Sequence, residues 1–532
     1  MKSKFIPAAL LLAVVAGCAA TQSSDPAPAA TAASAKAIEA HMQFLAADEL
    51  AGRETGSKEH EIASLYIATQ LQALGLEPAG DNGSYYQRVP LRQARLAQES
   101  AKFTLHTDGK DTQLSYPKAF FTGPSLQYTQ TDITAPLVFA GYGMVSEEFG
   151  LNDYANLDVK GKIVVLLTGR PDSLPSEEAA HLSSQKTRLA AERGAIGIIS
   201  VHTPDAEKTR PYANSLLYLN TPDLSWVNDK GIAEKDYPSI KVGAYLHMDA
   251  AKALFADAPQ SLEQIYAMLE KKEVPKGFAL TTSASLTRES THSMIQSQNV
   301  VAVLEGSDPV LKNEYVVVTA HSDHIGIGND LRSKDKINNG LMDNAAGVAI
   351  LLETARLYTQ SAVKPKRSIL FLHVTGEEHG LLGSRYYSEN PLFPLANTVA
   401  DVNIDMIGRR DELHATTNNY VYIIGANRLS AELDHISAAM NQKYIGLDLD
   451  YRFNDPKDPN RFYERSDHYN FAKHGIPSVF FFNGVHADYH KKTDEADKIE
   501  YDALEKRTQL AFVVAWELAN RKNRIQVDAD KK

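Results

Sequence analysis

The sequence predicts an α/β sandwich built on a mostly parallel sheet, with a second, smaller domain inserted into it. Three observations carry this reading. From about residue 300 onward, short wholly apolar runs alternate with amphipathic stretches, the pattern of buried parallel strands joined by helices. Residues 37–75 read as helical around a single turn. Between these two parts, residues 100–288 break the alternation and carry strand signals of their own.

The chain starts with a positive stretch, Lys2 and Lys4, followed by the apolar run Phe5 to Val15 and then Val15-Ala16-Gly17-Cys18. A run this short does not span a bilayer as a mature helix and predicts a signal peptide over 1–17. Cys18 is the only cysteine, and it stands where a bacterial lipobox places its lipid-modified cysteine. The expectation is a lipoprotein of the bacterial cell envelope, facing periplasm or surface and held to the membrane only through Cys18. The alternative is a secreted protein cut after a small residue. A single cysteine excludes intrachain disulfides. Residues 18–36, rich in Ala, Ser, Thr, Asp and Pro, predict a flexible tether.

Next, Ala46 to Leu50 precedes the turn Gly52-Arg53-Glu54-Thr55-Gly56, and His60 to Leu74 has apolar residues at helical spacing with Gly75 as its C-cap. In the insert, Ala135–Gly143, Val159–Leu166 and Gly194–Ile199 suggest a compact β/α unit. In the last part, Tyr315–Ala320, Ser368–Val374 and Val399–Ile404 predict buried strands, and Ala345–Tyr358, Leu429–Met440 and Tyr501–Ala519 predict helices. The resulting layout is a discontinuous domain over 37–99 and 289–525, interrupted by an insert over 100–288.

Composition narrows the function. A length of 532 residues implies two or three domains. With 43% hydrophobic and 23% charged residues, the chain can fill such cores and is neither disordered nor fibrous. A net charge of -11 leaves no basic footprint for nucleic acid. The sequence contains no Gly-x-Ser-x-Gly elbow, Walker loop or His-Glu-x-x-His helix.

The chemistry-bearing residues gather at strand ends, where a parallel sheet places its functional loops. Tyr315–Ala320 runs into His321-Ser322-Asp323-His324, Ser368–Val374 into Thr375-Gly376-Glu377-Glu378, and Val399–Ile404 into Asp405. Asp343 opens a helix, and His490 follows the late apolar run Val479 to Phe482. Each has an ordinary explanation. A histidine after a strand commonly lies in a surface loop, Asp343 suits a helix N-cap, and Glu377-Glu378 could be a solvated pair. Their joint occurrence is what points to a cation, because adjacent carboxylates after an apolar strand repel unless one offsets them.

These motifs resemble peptidase family M28, the zinc peptidases that include many aminopeptidases. The matching stretches are Ala320–His324, Asp343-Asn344-Ala345-Ala346-Gly347, Gly376-Glu377-Glu378-His379-Gly380, Asn403–Gly408 and Tyr489–Asp494, with Ser466-Asp467-His468 and Gly475-Ile476-Pro477 beside them. The insert resembles a protease-associated (PA) domain through Gly161-Lys162-Ile163 and Gly194-Ala195. The resemblance implies a three-layer zinc-exopeptidase sandwich carrying a β-rich insert. It also implies two Zn(2+) per chain: Asp343 bridges, His321 and Asp405 complete one site, and Glu378 and His490 complete the other. Nitrogen and oxygen donors suit zinc. Two dications exceed three ligand carboxylates by one charge, which a metal-bound hydroxide would neutralise.

By the same resemblance Glu377 is the general base, Asp323 orients the His321 imidazole, and Tyr489 hydrogen-bonds the developing oxyanion. His324, His379 and His468 match no ligand position and are expected to make structural hydrogen bonds. The implied activity is a zinc-dependent metallopeptidase acting on peptides, foremost an aminopeptidase. A carboxypeptidase or dipeptidase would need an arginine for the carboxylate, with Arg409, Arg410, Arg461 and Arg465 available. A non-catalytic receptor-like protein would be expected to have lost ligands. Tyr451, Phe453, Phe462 and Tyr463 would either line a pocket or pack a loop.

Overall fold

The structure, a computed structural model, describes residues 25–528 apart from 108, 175, 217, 218, 220, 229, 235, 236, 329–333, 457 and 459. The expected signal peptide and Cys18 lie outside the described residues. Among the described residues no helix is long and apolar enough to cross a membrane.

A mostly parallel sheet forms the centre of the main domain. Its strands, in spatial order, are Asp448–Asp450, Tyr420–Ile424, Ser478–Phe482, Thr398–Ile404, Tyr315–His321, Ser368–Val374 and Phe278–Leu304. Tyr315–His321 pairs in parallel with both Ser368–Val374 and Thr398–Ile404, and all three strands are buried along their length except for the half-buried Tyr315. Such strands need apolar side chains on both faces, which is why they read as continuous runs. Val316, Val318 and Ala320 point to one core, shared with the helices Ala35–Leu45, Ala346–Gln360 and Tyr501–Asn520. Val317 points to the other, with Leu370, Leu372, Tyr387 and Phe471. Helices on both faces make the three-layer sandwich.

Local signals explain the helix boundaries. Ser57 caps Lys58–Ala73 by accepting from the His60 amide, and Gly75 follows at φ +76°. Ser430 caps Ala431–Met440 in the same way, so the helix predicted over Leu429–Met440 starts two residues later, after a short helix Ala426–Leu429.

The tether expected over 18–36 is packed where it is described. Ala27–Ala30 forms a short helix, and Ala30 and Ala33 are buried in the main core. Small side chains that suggest flexibility by composition also permit close approach to the helices beneath.

The insert has two cores of its own. Gln130–Phe139, Ile163–Leu167, Gly197–Val201 and Val242–Leu246 continue the sheet beyond Phe278–Leu304. Two long strands link it to the main domain. Tyr86–Thr107 and Phe278–Leu304 run antiparallel from Tyr86↔Val300 to His106↔Ser283, with an irregularity between Thr287 and Glu289. Positions 99–100 and 288–289 therefore lie inside continuous strands rather than in linkers.

Candidate metal centre

The parallel register brings the strand ends to one edge. His321, the last residue of its strand, is level with Val374, and Ile404 is level with Phe481. Glu377 and Glu378 lie three and four residues past Val374, Asp405 directly follows Ile404, and the loop after Phe482 carries Tyr489 and His490. The carboxyl edge of the sheet thus collects four of the five candidate ligands, and Asp343 reaches them from the turn Leu341–Ala345.

His321 Nε2 lies 3.1 Å from Asp343 Oδ1 and 3.3 Å from Asp405 Oδ1. His490 Nε2 lies 3.2 Å from Asp343 Oδ2 and 3.0 Å from Glu378 Oε2. The two carboxylate oxygens of Asp343 therefore face two separate donor sets. Burial pushes Asp343 up, but the His321 and His490 imidazoles beside it outweigh this and hold the carboxyl well below its ordinary value. Burial and the Asp343 charge oppose ionisation of Glu378, yet His490 and His324 bring it down to about 2. Glu377 behaves oppositely. Burial, with the charges of Glu378, Asp405 and Asp467, raises its proton affinity well above the ordinary carboxylate range despite His321.

Asp343 is not an N-cap. It sits in a distorted turn, Leu341–Ala345, with φ -119° and ψ 90°, joined to Asn344 by a cis peptide bond. The helix Ala346–Gln360 has Ala345 at its N-cap position, without a side-chain cap. The Asp494 carboxylate holds this turn by accepting from the amides of Met342 at 2.9 Å and Asp343 at 3.3 Å, which leaves both Asp343 oxygens facing the donor sets.

Asp323 is placed differently from the expectation. His321 Nδ1 is 3.2 Å from the Asp323 backbone carbonyl but 3.8 Å from its carboxylate, so the main chain orients the imidazole. The carboxylate accepts from the Thr55 hydroxyl at 2.8 Å and from the Glu377 amide at 3.3 Å, and so fixes the backbone of the candidate base. The Tyr489 ring stacks on the His490 imidazole with centroids 3.8 Å apart, and its hydroxyl lies 3.4 Å from Arg465 Nη2. His324 Nδ1 lies 2.7 Å from Glu378 Oε1 and 3.9 Å from Asp343 Oδ2, which puts a third imidazole beside the second donor set. His468 is buried and stacks on Phe480, whereas His379 is only half-buried. Phe453, Phe462 and Tyr463 pack with Met342 and Met406 behind the site, and Tyr451 packs against the main core.

Sequence reasoning missed several residues that build the centre. Arg53, buried in the predicted turn, donates to the backbone carbonyls of Ser322 at 3.2 Å, Asn339 at 2.7 Å, Gly340 at 3.0 Å and Leu45. It ties the His321 loop to the Asp343 turn. Ser466 donates to Asp405 Oδ2 at 2.7 Å and receives from Asn403 at 2.7 Å. Asp494 and Ser466 lay within motifs already quoted, which was a usable signal, whereas Arg53 had none.

The residues fit divalent cations. His321, Asp343 and Asp405 each offer one atom to a common point, and so do His324, Asp343 and Glu378. His490 Nε2 is buried without a well-oriented hydrogen bond, although two carboxylates lie within 3.2 Å of it. Such a nitrogen normally has a partner, and a cation between it and the oxygens would provide one. Nitrogen and carboxylate donors without sulfur suit zinc.

Residues 299–515 match the model for peptidase family M28, and residues 133–240 match the PA domain. It is 29% identical over 209 residues to leupeptin-inactivating enzyme 1 of Streptomyces exfoliatus, covering 39% of this chain and 40% of that protein. It is 26% identical over 321 residues to probable leucine aminopeptidase 2 of Aspergillus oryzae, covering 52% and 58%. The chain thus spans about half the length of these relatives. Among solved structures, an aminopeptidase from Aneurinibacillus sp. strain AM-1 shares the fold, with a TM-score of 0.57 at 20% identity, covering 94% of this chain and 98% of that one.

Proposed function

We propose that the chain is a two-zinc aminopeptidase that removes N-terminal residues from peptides. The observation that carries this is the division of Asp343 between two donor sets, His321 with Asp405 and Glu378 with His490. Two zinc ions held there would polarise a scissile carbonyl and bring the pKa of a water to about 7. Glu377, set beside the donor sets with raised proton affinity, takes the proton from the attacking water and passes it to the leaving amine. The Tyr489 phenol donates to the carbonyl oxygen as charge develops on it. A free α-ammonium finds carboxylates in Glu377 and the ligand residues.

Three of the four arginines that a carboxyl-end reader could use are already engaged. Arg409 pairs with Asp488 at 2.8 Å, Arg410 with Glu500 at 3.0 Å, and Arg461 lies 4.0 Å from Glu464. A dipeptidase is the second reading, and Arg465 favours it. The discriminating experiment measures metal content and cleavage together, using a dipeptide amide, its N-acetylated form and a C-terminally blocked peptide. About two zinc ions per chain, with cleavage of the first and third only, supports an aminopeptidase. Equal cleavage of the acetylated peptide, or activity without metal, rejects it.

The insert, taken as 100–288, supplies none of the five ligands. Its helix Ser176–Ser184 lies against the turn Phe462–Glu464 beside the site, where it would limit peptide length rather than take part in the chemistry. The N-terminal segment is assigned to export and lipid anchoring at Cys18, and Cys18→Ser should move the protein out of the membrane fraction.

A further inference from the structure

We infer that Arg465 determines specificity by binding the carboxylate one residue beyond the scissile bond, so that free dipeptides are preferred over their amides and over longer peptides. The inference rests on the aminopeptidase reading and adds recognition of the second end of the substrate.

Arg465 adjoins both donor sets. Its neighbour Ser466 is bonded to Asp405 at 2.7 Å, and its own Nη2 lies 3.4 Å from the Tyr489 hydroxyl, whose ring stacks on His490. The guanidinium lies 5.0 Å over the Phe462 ring, and Nη1 reaches the Asn460 carbonyl at 3.5 Å. These contacts occupy two of its five N–H groups, both at long range, and the side chain is exposed. Among the described residues no carboxylate forms an ion pair with it, unlike Arg409, Arg410 and Arg461. The insert adds Arg170 and Arg210 near Arg461, where burial and their charges hold down its proton affinity.

The spacing matches a dipeptide. From covalent dimensions, the terminal carboxylate lies about 4–6 Å from the scissile carbonyl oxygen. Arg465 stands beside the phenol assigned to that same oxygen. A planar fork with free N–H groups takes a carboxylate in a bidentate manner, whereas an amide or a continuing chain offers one neutral carbonyl. Charge-assisted hydrogen bonds of this kind change affinity by about 10-fold or more.

The test uses the metal-loaded full chain with Leu-Gly, Leu-Gly-amide, Leu-Gly-Gly and N-acetyl-Leu-Gly, comparing wild type with Arg465→Gln and Arg465→Lys. The expected wild-type kcat/KM for Leu-Gly exceeds that for its amide by about 10-fold or more. Arg465→Gln should bring this ratio towards one, chiefly through KM, and Arg465→Lys should retain part of it. A wild-type ratio near one, or equal loss on both substrates in Arg465→Gln, overturns the inference and leaves Arg465 as a support for Tyr489. Cleavage of none of the free-amino substrates, or equal cleavage of the acetylated one, overturns the aminopeptidase reading and this inference with it.

Discussion

The Ser466 hydroxyl lies 2.7 Å from Asp405 Oδ2 and donates to it, so one oxygen of this candidate ligand is held from behind while the other faces His321 at 3.3 Å. Removing such an outer hydrogen bond typically weakens metal binding by about 10- to 100-fold. If the chain holds zinc as proposed, Ser466→Ala should lose the ion at the Asp405 side to a competing chelator at lower concentration than wild type, with an unchanged fold. Equal retention would show that Asp405 needs no support from Ser466.

Glu377→Gln keeps the shape of the side chain and removes its proton-accepting carboxylate. Turnover should fall by roughly two to four orders of magnitude, while metal content by elemental analysis stays at the wild-type value. Turnover within a few-fold of wild type would mean that another group accepts the proton.

Arg53 donates to four carbonyls from a buried position. Arg53→Met strands those acceptors and should cost about 3 kcal/mol or more, read as a lower thermal midpoint and weaker metal retention. Arg53→Lys should not restore the wild-type midpoint, because a single ammonium cannot span acceptors arranged for a planar fork.

Burial keeps His60 and His373 neutral, lowering His60 to about 4 and His373 to about 3, with His41 adding to the effect on His373. In the unfolded chain both titrate near 6.5. Between these values the unfolded state binds more protons, so stability present above pH 6.5 is lost as pH falls toward 4. His373→Gln should show a shallower decline in melting temperature than wild type over that range. Parallel curves would remove His373 from the acid response.

The parallel strands were legible because burial on both faces leaves wholly apolar runs, and Ser57 with Gly75 frames a helix by local bonding alone. The residues that the structure gathers around Asp343 were legible as candidates through their motifs, at strand ends for His321, Glu378 and Asp405. What escaped depends on distant partners. Asp343 before a helix gives the same local signal as an N-cap, and it is Asp494, 151 residues away, that bonds to its amide. Arg53 sits in a glycine-flanked turn typical of a solvent-facing loop, yet three of its acceptors lie 269 to 287 residues further on. The Asp323 backbone carbonyl lies closer to the His321 imidazole than its carboxylate does, 3.2 Å against 3.8 Å, a difference that no spacing rule resolves. Ala27–Ala33 looked like spacer because alanine-rich composition does not show which surface it will meet.

The paired strands Tyr86–Thr107 and Phe278–Leu304 also determine how the insert can move. A single-chain connection swivels about a few torsions, but a two-stranded ribbon bonded along its length behaves as a beam, yielding by gradual twist. The insert is thus cantilevered over the rim rather than hinged to it. On the proposed peptidase reading, a long peptide that pressed against the insert would have to bend the whole beam, so the stiffness of the ribbon as well as its reach would enter into substrate size.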